Sequence, residues 1–207
     1  VEPVFVRKFN LVMANYKVRI SDVRGYSMER IAEDFRAVYN GAWGGHDNFK
    51  EMSQKKALKV ANALKPIMDR EIIVFAYDSD KPIGFYVNIP ELNHIFDKVN
   101  GNLNLIGKLK FLWHKWRKTP TRMVGIVFGV VKEWQGKGIE GAMIMWFGQE
   151  KVPVLNYDDT ILTWIGDFNP KMIKVVTNLG TKVNRTFITY RYLFDREKEF
   201  KRCPIIE

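Results

Sequence analysis

Cysteine is almost missing from this chain: 207 residues hold a single copy, Cys203. That count excludes an internal disulfide and a thiolate zinc cluster, and it fits a reducing cytoplasm. Histidine is scarce too. Its three copies show no metal-ligand spacing, so no metal site is expected. No apolar run approaches the ~20 residues of a membrane span, and the first residues show no signal-peptide pattern. Internal repeats and low-complexity tracts are absent. Helix-turn-helix, zinc-finger and RNP patterns are absent as well. The formal net charge of +10 therefore reads first as a solvated basic surface, part of it suited to a small polyanion, and no nucleic-acid partner is expected. What is present is enough apolar material, 46% of residues, to build a core for one domain, with or without an appendage.

The rest of the chain is organised around residues 121–151. Val124, Ile126, Val127, Phe128, Val130 and Val131 form a β-rich apolar run. A polar elbow, Lys132-Glu133-Trp134-Gln135-Gly136-Lys137-Gly138, follows it. Then Ile139, Ala142, Met143, Trp146 and Phe147 recur at helical spacing. A helix that opens on such an elbow offers unpaired N–H groups and the positive end of its dipole, which is an anion site. Gly136 and Gly138 allow a ligand to reach the backbone without a Cβ in the way. The plain alternative is a loop whose glycines only turn the chain.

Two phosphate motifs can be tried on the elbow. A P-loop requires a hydroxyl residue after its lysine, and Gly138 follows Lys137. The dinucleotide pattern GxGxxG is met by Gly136, Gly138 and Gly141, with Asp158 or Asp159 about 20 residues on. That motif places its first glycine directly after the strand, whereas polar and bulky residues intervene here, so it stays a minor rival.

Val131-x-x-x-Gln135-Gly136-Lys137-Gly138-Ile139 resembles the Gln/Arg-x-x-Gly-x-Gly/Ala signature of the GCN5-related N-acetyltransferase (GNAT) superfamily. A second block, Trp164-Ile165-Gly166-Asp167-Phe168-Asn169-Pro170-Lys171-Met172, then Leu179-Gly180, then Thr189-Tyr190-Arg191-Tyr192, is similar to the ending of a branch of bacterial acetyltransferase-like proteins. The resemblance covers roughly residues 18–194 in element order. It implies an α+β fold, with a central mixed and mostly antiparallel sheet flanked by helices. It also implies that residues 17–207 form the domain, that residues 1–16 are a lead-in or linker, and that the whole is the C-terminal domain of a larger or tandem protein.

Local patterns supply the elements. A strand is expected over 17–23, a helix over 27–40 capped by Ser27, a break at 41–45, and a helix over 53–68 capped by Ser53. A hairpin is expected from 72–77 and 83–89, then an irregular or weakly helical stretch over 91–104. In residues 105–118, Leu105, Leu109, Leu112, Trp113 and Trp116 share one helical face and Lys108, Lys110, Lys115, Arg117 and Lys118 surround it. Such a stripe is expected to pack against its own domain with the lysines in water, and His114 to be structural; the alternative is contact with a membrane surface. A strand over 160–165, a helix over 170–179 stopped by Gly180, and a long β-rich run over 182–194 complete the chain.

The resemblance also implies chemistry: an amine attacks the thioester carbonyl of acetyl-CoA or another acyl-CoA, a cosubstrate, and no metal takes part. The pyrophosphate cradle falls on the N–H groups of Gln135, Gly136, Lys137, Gly138, Ile139, Glu140 and Gly141, with Lys137 adding charge. The donor to the carbonyl oxygen falls on the N–H of Val130 or Val131, and Asn169 sits near the cofactor. Many members place a general-acid tyrosine where this chain has Val176, which removes the usual thiolate protonator unless Tyr157 or Tyr190 substitutes. Asp167 stands where the branch has an acid, and can equally be a cap or turn residue. The acceptor is expected to be a small-molecule amine. The alternative to an enzyme is a catalytically weak acyl-CoA-binding module of a tandem protein.

Overall fold

The computed structural model describes residues 3–45, 49–202 and 204–205. The single cysteine, Cys203, lies outside them. A five-stranded sheet in the order β1-β2-β3-β4-β5 organises the fold. Its strands are β1 (Val18–Asp22), β2 (Ile73–Asp78), β3 (Lys81–Pro90), β4 (Arg122–Val130) and β5 (Asp159–Leu162). The first four run antiparallel in sequence, and β5 joins β4 in parallel. The hairpin β2–β3 turns at Ser79, whose φ of 55° holds the tight connection.

The two faces of the sheet follow from strand alternation. On one, Phe75, Tyr77, Phe85 and Gly129 meet α2 (Met28–Trp43), while α3 (Gln54–Leu64) packs alongside α2. Phe85 stacks on Phe35 with ring centroids 4.8 Å apart, and the Trp43 ring lies over Gly129, where a Cβ would come within 2.7 Å of it. Ser27 and Ser53 cap α2 and α3 as the sequence suggests, each hydroxyl accepting an N–H three residues on. On the other face α6 (Ile139–Glu150) lies across β2, β3 and β4, with Met143 against Gly84 and Phe147 against Tyr86. Tyr77 also donates its hydroxyl to the buried carboxylate of Asp34 on α2, at 2.8 Å.

Four stretches differ in structure from what was expected of them. Helix α2 does not break at Gly41 but continues to Trp43, because Gly41 lets it pass against Val131 and Trp43 closes over the sheet. Helix α3 ends at Leu64 instead of Met68, ahead of Pro66, which has no backbone N–H to continue the ladder. Residues 3–15, expected as lead-in, form helix α1 (Pro3–Asn15) packed against α6, with Val12 buried. Residues 182–194 carry no strand: Val183, Phe187, Ile188, Tyr190 and Phe194 are exposed, and among the described residues no ladder forms beside them. Alternation favours extended backbone, but a strand needs a partner edge to satisfy its N–H and C=O groups.

A short α4 (Asn93–Lys98) and α5 (Leu105–Trp116) connect β3 to β4. Helix α5 forms where its period places it, yet its apolar stripe faces outward. Gly107 is its sole buried residue, and Leu105, Leu109, Leu112, Trp113 and Trp116 are exposed. Helix α7 (Pro170–Asn178) ends at Gly180, whose φ is +76°, and none of its residues is fully buried. Among the described residues no helix is long and apolar enough to cross a membrane.

Candidate functional site

The elbow between β4 and α6 is built by three devices. A short 3-10 turn, Lys132–Trp134, leads off the strand, and the Trp134 ring is held edge-on by Tyr16, 5.2 Å away, at the end of α1. Gln135 folds back so that its Nε2 donates to the carbonyl of Val130 at 2.9 Å, tying the elbow to the strand end. Gly136 (φ +75°) and Gly138 (φ +90°) then take left-handed conformations that a side chain would oppose. Open space surrounds Gly136, since an added Cβ there meets nothing within 4 Å.

The start of α6 differs from those of α2, α3, α5 and α7. Ser27, Ser53, Asn104 and Asn169 cap α2, α3, α5 and α7 through their side chains. At α6 the capping position is Gly138, which offers no side chain, and the first ladder bond runs from Ala142 N–H to the Gly138 carbonyl at 2.9 Å. The N–H groups of Ile139, Glu140 and Gly141 therefore precede the ladder and point along the dipole into the elbow. Lys137 adds an ammonium 4.7 Å from the Trp134 ring centroid, poised by a cation–π contact at the rim.

Beside the elbow the sheet opens. β5 pairs with β4 only over Arg122–Gly125, and the last contacts are Thr163 N–H to Gly125 O at 3.0 Å and Thr163 Oγ1 to Ile126 O at 3.2 Å. Beyond Ile126, β4 continues to Val130 with no paired β5 residue opposite. On its other side Val131 N–H donates to Ile83 O at 2.9 Å. Antiparallel ladders alternate, so Val130 turns its N–H the other way, to the open edge. Val131 is thus consumed by the sheet, and of the two expected donors Val130 is the one directed at the gap.

The structure brings Val130, Gln135, Gly136, Lys137, Gly138, Ile139, Glu140 and Gly141 together. Ile139 contributes only backbone, its side chain being fully buried in the core. Of the other expected residues, Tyr157 is the one whose contacts place it away from them. Tyr157 lies where Asp158 N–H meets Thr121 O, next to the start of β4, and so at the opposite end of that strand from the elbow. Its hydroxyl donates to Asp69 Oδ2 at 2.8 Å, and burial together with the Asp69 carboxylate pushes the phenol well above its ordinary pKa. Tyr190 stands exposed in the 182–194 segment. Asp167 is exposed and paired with Arg202 at 2.5 Å. Asn169 spends its Oδ1 on the α7 cap, accepting Met172 N–H at 3.1 Å. Tyr16 and Trp134, which brace the elbow, carried no sequence signal: Tyr16 falls in the stretch expected as a lead-in or linker, and Trp134 reads as one more aromatic in a loop. The dinucleotide rival also loses its setting, since the 3-10 turn separates strand from glycines and Asp159 is paired with Arg122 at the start of β4.

No family model matches the sequence. Among curated proteins, the chain is 22% identical over 176 residues to a bacterial ceramide synthase of Caulobacter vibrioides, covering 84% of this chain and 45% of that protein. It is 23% identical over 180 residues to protein YghO of Escherichia coli, covering 81% and 45%. The chain thus spans about half the length of the curated relatives it matches. Among solved structures it superimposes on an aminoglycoside acetyltransferase from an uncultured soil metagenomic sample, in complex with sisomicin, with a TM-score of 0.54 at 9% identity, covering 88% of this chain and 99% of that one. A mixed, mostly antiparallel five-stranded sheet, split beyond β4's midpoint and crossed by a helix that starts at a glycine elbow, is the GNAT acyl-CoA N-acyltransferase fold, and this chain has it.

Proposed function

We propose that the protein is an N-acyltransferase that moves an acyl group from acyl-CoA to an amine by direct attack. The observation that carries this reading is the conjunction of an uncapped α6 N-terminus at Gly138 with an open β4 edge ending at Val130. The first suits a pyrophosphate, held by the N–H groups of Gly138, Ile139, Glu140 and Gly141 with Lys137 at the rim. The second suits an extended chain of amides, which adds to an exposed strand edge as a peptide would. Acyl-CoA has both parts joined in one molecule. Laid along the edge, its thioester carbonyl would accept the Val130 N–H, which stabilises the oxygen as charge gathers there. The amine nitrogen then forms the C–N bond, the C–S bond breaks, and the sulfur leaves as thiolate while the nitrogen gives up a proton.

The acceptor class follows from the relatives by analogy. A ceramide is the amide of a long-chain amino alcohol, so an amine bearing an apolar chain stands beside small polar amines as a candidate. A second reading, a catalytically weak acyl-CoA-binding module, is favoured by one observation: Tyr157 is bonded to Asp69 at the far end of β4, and Val176 is aliphatic where a phenol would protonate the thiolate. Direct transfer proceeds without a dedicated acid when the nucleophile is a good one. The test is release of free thiol from acetyl- and long-chain acyl-CoA against a panel of small and long-chain amines. Amine-dependent release is expected. Binding of CoA with no release for any amine would select the module, and no binding would remove both readings.

A further inference from the structure

We propose that α5 is a docking surface for an anionic lipid membrane. The argument begins with the direction of the helix. At 3.6 residues per turn, Leu112, Leu105, Trp116, Leu109, Trp113 and Ile106 fall within an arc of about 120°. A globular domain turns such an arc inward; here it points out. Trp116 is 80% exposed, Leu105 76% and Leu109 60%. The side that faces the protein is the other one, where Gly107 is buried and Phe111 packs on Phe96 of α4 with ring centroids 5.5 Å apart. His114 bonds through Nδ1 to Thr119 Oγ1 at 3.1 Å, on that same inner side. The helix is therefore anchored by its minor face and presents its apolar face to the surroundings.

Charge identifies the occupant. Residues 105–118 contain no acidic side chain. Lys115 and Lys118 reach inward, to the Pro66 carbonyl and to Glu71. Lys108 and Lys110 border the apolar arc on its two sides, and among the described residues neither forms an ion pair. Arg117 borders it too, its guanidinium 4.9 Å from the centre of the Trp113 ring. The acidic groups beside the helix are taken up elsewhere: Glu71 by Lys118, Asp69 by the Tyr157 hydroxyl and by Lys115, and Asp97 of α4 by Lys98 at 3.8 Å. Tryptophans beside an apolar arc with a cationic border match the headgroup layer of a bilayer, where an apolar body and a charged rim are both satisfied. A protein partner would need its own acidic rim around an apolar groove. An anionic bilayer supplies that pattern everywhere on its surface. This surface is independent of the acyltransfer reading: the docking calls on no residue of the elbow.

Co-sedimentation of the protein with vesicles tests it, with no acyl donor present. Vesicles of phosphatidylglycerol and phosphatidylcholine, at about 0.15 M salt, should carry the protein down, and pure phosphatidylcholine vesicles should carry far less. The variant K108Q/K110Q should partition roughly twenty-five-fold more weakly, at about fivefold per charge removed. L109E/W116E should abolish binding. All four positions are exposed, so circular dichroism and the melting temperature of each variant should match the parent. Failure of the parent to bind anionic vesicles would overturn the proposal, as would undiminished binding by folded L109E/W116E. So would a parent dimer that L109E/W116E turns into a monomer without any vesicle binding, because the face would then belong to a second copy.

Discussion

Replacing Lys151 with methionine should cost this fold about 3 kcal/mol at neutral pH. Lys151 ends α6, and its ammonium is bonded to Asp22 Oδ2 at the end of β1. Both groups are withdrawn from water, with side-chain exposures of 5% and 11%. Breaking a buried pair by removing one partner costs about 3–5 kcal/mol, since the other charge is left uncompensated. The lower end applies here. Arg24 still faces Asp22 through its Nε at 2.9 Å and its backbone N–H at 3.0 Å. The double variant Asp22→Asn/Lys151→Met leaves no buried charge behind, Arg24 being largely exposed and paired with Glu71 as well, and should recover about 1–2 kcal/mol. Acidity gives an independent check. Burial pushes the Asp22 carboxyl up, but its bond from Lys151, with help from Arg24, outweighs burial and holds it below its ordinary value. A depressed carboxyl stabilises fully above its unfolded pKa of about 3.9, and the contribution is lost as pH falls through the lower folded value. The gap between parent and Lys151→Met should therefore narrow below about pH 4. Urea unfolding at pH 7 and pH 3 measures it. Equal stability at pH 7, or a gap unchanged at pH 3, would refute the reasoning.

Two further outcomes are expected. Trp113→Ala should change stability by less than about 1 kcal/mol in urea unfolding, not the roughly 3–5 kcal/mol of an emptied core site, because the indole is half exposed on the outward face of α5; a loss above 2 kcal/mol would show it packed. Val176→Tyr should leave CoA affinity unchanged and raise turnover in the thiol-release assay, if thiolate protonation limits the reaction; unchanged turnover would show that solvent or another group already supplies the proton.

What was legible in the sequence divides along physical lines. Signals that act within one turn of chain were readable: the hydroxyls of Ser27 and Ser53 at helix starts, Gly180 at a helix end, and the glycines and Gln135 of the elbow. Signals that depend on a distant partner were not. The stripe of α5 has the same period whichever way it faces, and distant partners such as Phe96 under Phe111 and the Pro66 carbonyl at Lys115 decide the direction. The alternation over residues 182–194 marks extended backbone but cannot supply the neighbouring edge a strand needs. Gly41 looks like a helix breaker until Val131 arrives from another element to use the missing Cβ. The site divides in the same way. Its anion end was readable from consecutive residues, whereas the distance of Tyr157 from the elbow is set by the length of β4 and by Asp69, 88 positions away.

The central claim is that backbone at the start of α6, more than lysine charge, holds the pyrophosphate of CoA. Calorimetric titration of the parent, Gly138→Asp and Lys137→Ala with CoA, and with NADH as control, tests it most directly. Gly138 has φ +90°, so aspartate there is strained and also sets a carboxylate against the phosphates; binding should be lost while the fold persists. Lys137 is exposed, and its removal should cost only about 0–1 kcal/mol of affinity, less at high salt. Parental affinity in Gly138→Asp, or binding of NADH in place of CoA, would contradict the account and return the elbow to the dinucleotide reading.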